Sequence, residues 1–148
     1  MQHGILAGYK VVNIKATLLD GKYHDVDSSE MAFKLAARLS YKAGMANAKP
    51  ILLEPIVSMT VRVPDEFTGT IIGDFNKRRG AIMGMDLVDG YQEITATVPL
   101  AEVQKYPIEL RAMTQGRGVY TQSFDRYEPV PSNIADTIIA QHKKEMEE

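Results

Sequence analysis

The chain has 148 residues, 45% of them hydrophobic, and a formal net charge of −2. That length holds one ordinary domain or two small ones with a real core, and the charge excludes a global basic field of the kind that attracts nucleic acid unselectively. It has no cysteine, which excludes disulfides, thiolate metal sites and cysteine nucleophiles, and no apolar run approaches membrane-spanning length.

The N-terminal run MQHGILAGYK lacks the charged-then-apolar pattern of a signal peptide, so a soluble, cytoplasmic protein is expected. Val12, Ile14, Ala16 and Leu18 alternate as in a strand, and Asp20-Gly21 marks its turn. The stretch GKYHDVDSSEMAF (Gly21–Phe33) then places His24 at the apex of a polar loop, between Tyr23 and Asp25. Asp27 is expected to cap the following helix, with Glu30 reaching back as in a capping box. From Ser28 to about Ala46 the period is helical, with Met31, Leu35, Leu39 and Ala43 on one face. Lys49-Pro50 ends it and marks a boundary. One strand and one helix cannot bury a core, because a lone strand leaves both edges unpaired. The first unit, residues 1–49, is therefore expected to be incomplete, its partner strands preceding Met1 in a longer protein.

Residues 50–131 are more regular. Val57, Met59, Val61 and Val63 alternate with Ser58, Thr60 and Arg62, which predicts a strand with one buried face. Pro64, Asp65 and Glu66 suit the first turn of a helix whose core stripe is Ile71, Ile72 and Phe75. Lys77, Arg78 and Arg79 fall in its last turn, and Gly80 is expected to stop it. Strands follow at Ala81–Val88 and Tyr91–Val98, joined by the hairpin signal Asp89-Gly90. Ala101–Thr114 reads as helical, but Pro107 breaks or kinks it. A last strand runs from Val119 to about Tyr127. The order strand, helix, strand, strand, helix, strand predicts a ferredoxin-like βαββαβ sandwich. Residues 132–148 form a final amphipathic helix, with Ser132 as its cap and a KKEMEE end expected to fray.

Catalytic chemistry is hard to find. There is no Gly-x-x-x-x-Gly-Lys-Ser/Thr loop, no Gly-x-Gly-x-x-Gly and no Gly-x-Ser-x-Gly elbow. His3, His24 and His142 have no second ligand at metal spacing, so no metal site is expected. Lys77, Arg78 and Arg79 form the densest basic run. The helix C-terminal dipole accounts for two of the three, and phosphate contact is the alternative. Arg117 lies between two glycines, and a tight turn and a phosphate contact explain it equally well. For His24 the simpler account is a loop histidine bonded to its neighbours; the alternative is a donor and stacking group presented to RNA.

Gly4–Ala36, GILAGYKVVNIKATLLDGKYHDVDSSEMAFKLA, closely resembles the later part of the fourth domain of bacterial elongation factor G. LLEPI, IIGDFNKRRGAIMGM, VPLAEV, LRAMTQGRGVY and FDRYEPVPSNIA resemble its fifth domain and C-terminal tail, in the same order. The resemblance implies an α+β chain: a partial ribosomal-protein-like split βαβ unit, a ferredoxin-like βαββαβ sandwich and a C-terminal helix. It implies a part of a ribosome-dependent GTPase that promotes translocation of tRNA and mRNA. The family's tip histidine falls on His24, so Tyr23, His24 and Asp25 become the expected contacts with RNA at the decoding centre. Its fifth domain faces large-subunit rRNA, which makes Lys77, Arg78, Arg79 and Arg117 candidate rRNA-facing or interdomain groups.

GTP and magnesium are expected only in an N-terminal domain outside these residues, so the chain itself is expected to be non-catalytic and free of cofactors. The implied partners are the ribosome and the rest of the factor, with no membrane. Open strand edges in the first unit imply self-association or partial disorder there, while the fifth domain is expected to fold alone. Pro107 departs from the family pattern, standing where a better helix former is usual. A paralogue acting in ribosome recycling or ribosomal protection is the alternative, although the KYHDVD tip favours the translocase. A small ferredoxin-like acyl-phosphate hydrolase shares the strand order. It would need a phosphate cradle where this chain has the acidic junction Val63-Pro64-Asp65-Glu66.

Overall fold

Regular structure begins at Glu30 in the computed structural model, which describes residues 2–147. Contacts divide the chain in two: Leu53–Pro129 form one unit, and the segments on either side form the other.

In the flanking unit, residues 2–29 make turns and bends but no strand. The strand expected over Val12–Leu18 is therefore absent, and Leu18 and Leu19 are 92% and 91% exposed. Alternation only makes one face apolar; a strand forms by pairing, and no described residue offers this segment a ladder. Helix α1 runs from Glu30 to Asn47. Ser29, not the expected Asp27, is its cap, in extended conformation and accepting the Ala32 N–H at 3.1 Å. Asp27 instead donates its N–H to the His24 carbonyl at 3.2 Å, and Glu30 pairs with Lys34 at 2.6 Å rather than closing a box. The cause is Ser28, whose Oγ accepts the His24 N–H at 2.7 Å and holds residues 24–28 in a turn.

Helix α1 buries no residue, and Met31, Phe33, Leu35 and Leu39 remain exposed. Helix α4, Ser132–Glu147, follows Pro131, whose carbonyl accepts the N–H groups of Ile134 and Ala135. Pro131 thus stands at the cap position, and the expected cap Ser132 is the first helical residue. The KKEMEE end is helical as far as Glu147. Met1 and Glu148, where an incomplete start and a frayed end were expected, lie outside the described residues.

The central unit carries strands β1 (Leu53–Pro64), β2 (Ala81–Val88), β3 (Tyr91–Pro99) and β4 (Val119–Pro129), with helices α2 (Thr68–Lys77) and α3 (Tyr106–Met113). The sheet order is β2-β3-β1-β4, and every pairing is antiparallel, as a ferredoxin-like βαββαβ connection requires. The period-two residues Val57, Met59, Val61 and Val63 are all buried on one face, beside Ile94, Ala96 and Val98 of β3. Ile71 and Phe75 of α2 and Tyr106 and Leu110 of α3 cover them.

Local starts and stops differ in detail from the pattern. Pro64 ends β1, paired with Tyr91, and a 3-10 turn over Asp65–Phe67 precedes α2. Pro107 breaks the expected long helix, leaving a 3-10 turn (Leu100–Val103) and then α3 with proline in its first turn. At the end of α2 the left-handed residue is Arg79 (φ 59°), not Gly80. Gly80 supplies close approach instead. Its N–H reaches the Phe75 carbonyl at 2.8 Å, and a Cβ there would lie 2.9 Å from that oxygen.

Tyr106 is the largest fully buried side chain, stacked on Phe75 at 5.8 Å and edge-on to Tyr120 at 5.5 Å. Its hydroxyl has no hydrogen-bond partner among the described residues. Burial, reinforced by the Asp74 carboxylate, raises the phenol's pKa above its ordinary value. A raised folded-state pKa gives stability that is complete below the unfolded value of about 10 and is lost as pH rises beyond it. Tyr106→Phe removes both the unpartnered hydroxyl and this titration. It is expected to stabilise the unit by up to about 1 kcal/mol at neutral pH and to flatten the alkaline loss; urea unfolding across that pH range measures both.

Candidate functional site

The loop carrying Tyr23, His24 and Asp25 is closed by its own backbone. The His24 N–H is held by Ser28 Oγ at 2.7 Å and its carbonyl by the Asp27 N–H at 3.2 Å. Both backbone groups of His24 are thus occupied locally, one of them by a side chain that stands immediately before the helix cap. The side chains of Tyr23, His24 and Asp25 are exposed, and none makes a side-chain hydrogen bond among the described residues. The arrangement is a tethered loop that presents an imidazole, a phenol and a carboxylate to solvent.

The basic run at the end of α2 behaves differently along its length. Lys77 is exposed and makes no ion pair among the described residues. Arg78 turns inward: its side chain is 15% exposed, and it binds Asp74 in a fork at 2.7 and 3.0 Å. It also donates to Glu109 at 2.6 Å and to the Glu102 carbonyl at 2.6 Å, and its guanidinium lies 5.3 Å from the Tyr106 ring centre. The hydrogen bond to Asp74 is the chief cause that raises its pKa. Arg79 forks onto Glu54 at 2.8 and 3.0 Å and reaches Glu102 at 3.2 Å. Its left-handed backbone aims it there. These two arginines bind the end of α2 to the start of β1, to the turn after β3 and to α3.

Arg117 is held in a built loop. Thr114, a fully buried polar residue, donates to the Leu110 carbonyl at 2.7 Å and accepts the Gly118 N–H at 2.9 Å. A Cβ on Gly118 would lie 2.8 Å from that hydroxyl, so only glycine closes the loop. The Arg117 guanidinium lies 4.8 Å from the Phe67 ring centre and pairs with Glu66 at 2.6 Å, with the side chain 46% exposed.

The two groups of candidates do not converge. Arg79 binds Glu54 near the start of β1, whereas Arg117 is two residues from Val119, which pairs with Arg62 near the strand's end. At ~3.3 Å per residue that separates the anchor points by roughly 26 Å. Arg62 itself is a residue that sequence pattern does not single out. Its guanidinium lies 4.9 Å from the Tyr91 ring centre, and it makes no ion pair among the described residues. The only trace in the sequence is the strand alternation, and the contact needs the β1–β3 register, which sets Arg62 diagonal to Tyr91.

No group of three or more histidine, aspartate or glutamate residues is arranged to hold a metal among the described residues. No described helix is long and apolar enough to cross a membrane.

The inward arginine and its exposed neighbour are expected to separate on substitution. Arg78→Ala strands the Asp74 carboxylate and is expected to cost the central unit about 3 kcal/mol. Lys77→Ala is expected to change it by less than about 0.5 kcal/mol. Denaturant unfolding of the two variants is the check, and equal effects would overturn the assignment of Arg78 to the fold.

The family model described as elongation factor G C-terminus matches residues 51–138. That described as elongation factor G, domain IV, matches residues 1–49. A crystal structure of a protein from Thermus thermophilus is similar at 42% identity and a TM-score of 0.85. The similarity covers 97% of this chain and 22% of that one, so the chain spans about a fifth of its relative's length. With family models matching on both sides of residue 50 and in the family's order, the chain belongs to the elongation factor G family.

Proposed function

We propose that the chain is the working end of a translocation factor, supplying a decoding-centre tip and an rRNA-facing module to a ribosome-dependent GTPase. The observation that carries this is the His24 loop, tethered at its base by Ser28 and turned outward, within the segment matched by the domain IV model. In this proposal the backbone bonds hold the loop still, and His24 and Tyr23 offer hydrogen bonds and stacking to RNA near the codon and anticodon. Asp25 is the third side chain the loop exposes beside them. GTP binding and hydrolysis, with magnesium, belong to other domains of the whole protein, and the setting is the cytoplasm.

On the central unit, Lys77 and Arg117 are the proposed rRNA-facing groups, because both are exposed. Arg78 and Arg79 support the Lys77 end from within. Ribosome recycling by a paralogue is the competing role, and a translocation assay with the whole factor separates the two. The exposed stripe of Met31, Leu35 and Leu39 fits cover by the rest of the factor. In the isolated chain it supports self-association through this helix face rather than through the strand edges first expected.

His24→Ala in the whole factor is expected to slow translocation at least tenfold while leaving ribosome-stimulated GTP hydrolysis within about twofold of the parent. Rapid kinetics of both steps on the same preparations is the test. A parallel fall in hydrolysis would remove the tip assignment.

A further inference from the structure

Two guanidinium groups rest on aromatic rings at the same end of the central sheet. Arg62 lies over Tyr91 at 4.9 Å and Arg117 over Phe67 at 4.8 Å. They are tied together by the ladder, since Arg62 pairs with Val119, two residues beyond Arg117. The backbone around them is firmly set. Thr114 pins Gly118, and the β1–β3 register places Tyr91 opposite Pro64, beside the turn that carries Glu66 and Phe67.

The two arms reach the sheet end from different faces: Arg62 and Tyr91 lie on the face away from the core, where Glu93 is the residue paired with Arg62, whereas Phe67 beneath Arg117 packs against the core. They differ also in their ion pairs. Arg62 has no carboxylate within ion-pair distance among the described residues, whereas Arg117 is paired with Glu66 at 2.6 Å. That pair is largely solvent-exposed, with side-chain exposures of 46% and 60%. An exposed pair of this kind contributes little to stability and exchanges readily. A guanidinium stacked on a ring keeps its planar N–H edge free for bidentate contact with a phosphate. Stacking also limits its motion, so less side-chain entropy is lost when an anion binds.

We propose that Arg62 and Arg117 form a two-armed phosphodiester-binding end of this unit, in which Glu66 occupies Arg117 until RNA displaces it. Tyr91 and Phe67 are positioning residues that hold the guanidinium planes. Arg62 is the open arm and Arg117 the guarded one. The inference rests on the proposed rRNA-facing role of the unit and adds to it a second contact residue and an internal competitor. The Lys77 end, roughly 26 Å away along β1, is a separate surface.

The test is binding of the whole chain to a synthetic RNA hairpin, measured by fluorescence anisotropy over a range of salt concentrations. Arg62→Gln and Arg117→Gln are each expected to weaken binding about fivefold. Each should also reduce the slope of log affinity against log salt by about 0.7 to 0.9. Glu66→Gln is expected to tighten binding about threefold to fivefold, through loss of the competing pair. Asp89→Asn makes the same charge change in the neighbouring β2–β3 turn without touching a guanidinium, and is expected to have less than half that effect. Phe67→Leu keeps the apolar bulk but removes the ring face, and is expected to weaken binding with the salt slope unchanged.

Arginine variants that bind as the parent does, alongside a weakened Lys77→Gln, would overturn this inference and leave the rRNA-facing role standing. Equal tightening by Glu66→Gln and Asp89→Asn would overturn the role given to Glu66. A parent chain with no salt-dependent RNA binding would overturn the inference and the rRNA-facing role together.

Discussion

Strand β1 carries the central unit, because it is paired along both edges, with β3 on one side and β4 on the other, and its buried face lies beneath both helices. Its alternate residues Val57, Met59, Val61 and Val63 supply the floor of the core, and both helices close over that floor. A one-residue slip would turn the whole apolar set to the opposite face, so burial on one side holds the register of every neighbour. That register also positions the polar groups. Glu54 near one end meets Arg79, and Arg62 near the other lies beside Tyr91 and Val119. The two polar clusters are as far apart as they are because the strand between them is extended and buried.

The arginines of the central unit show how residue type alone leaves a role undecided. Arg78 and Arg79 are neighbours of Lys77 in sequence, and all three would suit phosphate. A helix of 3.6 residues per turn sends adjacent side chains about 100° apart, and the left-handed backbone at Arg79 redirects it again. Carboxylates from β1, α2, the turn after β3 and α3 then meet the two arginines. Desolvating such groups is tolerable only because each guanidinium is satisfied on several sides. Arg117, in contrast, keeps a single exposed partner and a ring beneath it.

The flanking unit gives the opposite lesson. Its alternating apolar residues between Val12 and Leu18 have the pattern of a strand but not the structure, and α1 has an apolar stripe of which no residue is buried. Periodicity encodes which side of an element is apolar. It does not supply the second surface. The helix still forms, because its hydrogen bonds are internal and Ser29 caps it, whereas a strand's bonds must come from elsewhere. The His24 loop shares that independence: its two closing bonds span only residues 24–28.

What was legible in the sequence was whatever leaves a mark in local pattern, even where, as for a strand, the partner lies elsewhere. That covers the strands and helices of the central unit, the hairpin at Asp89-Gly90, the break at Pro107, the projecting loop at His24, and the motifs that placed the chain in its family. The cap was misplaced from Ser29 to Asp27 because several polar residues there compete for the same N–H groups, and only the closed geometry selects one. The tertiary structure alone decided which basic groups face inward, that Arg62 rests on Tyr91, and that Glu66 meets Arg117. These contacts join residues that lie far apart along the chain, and they exist only once the strand register has brought them together.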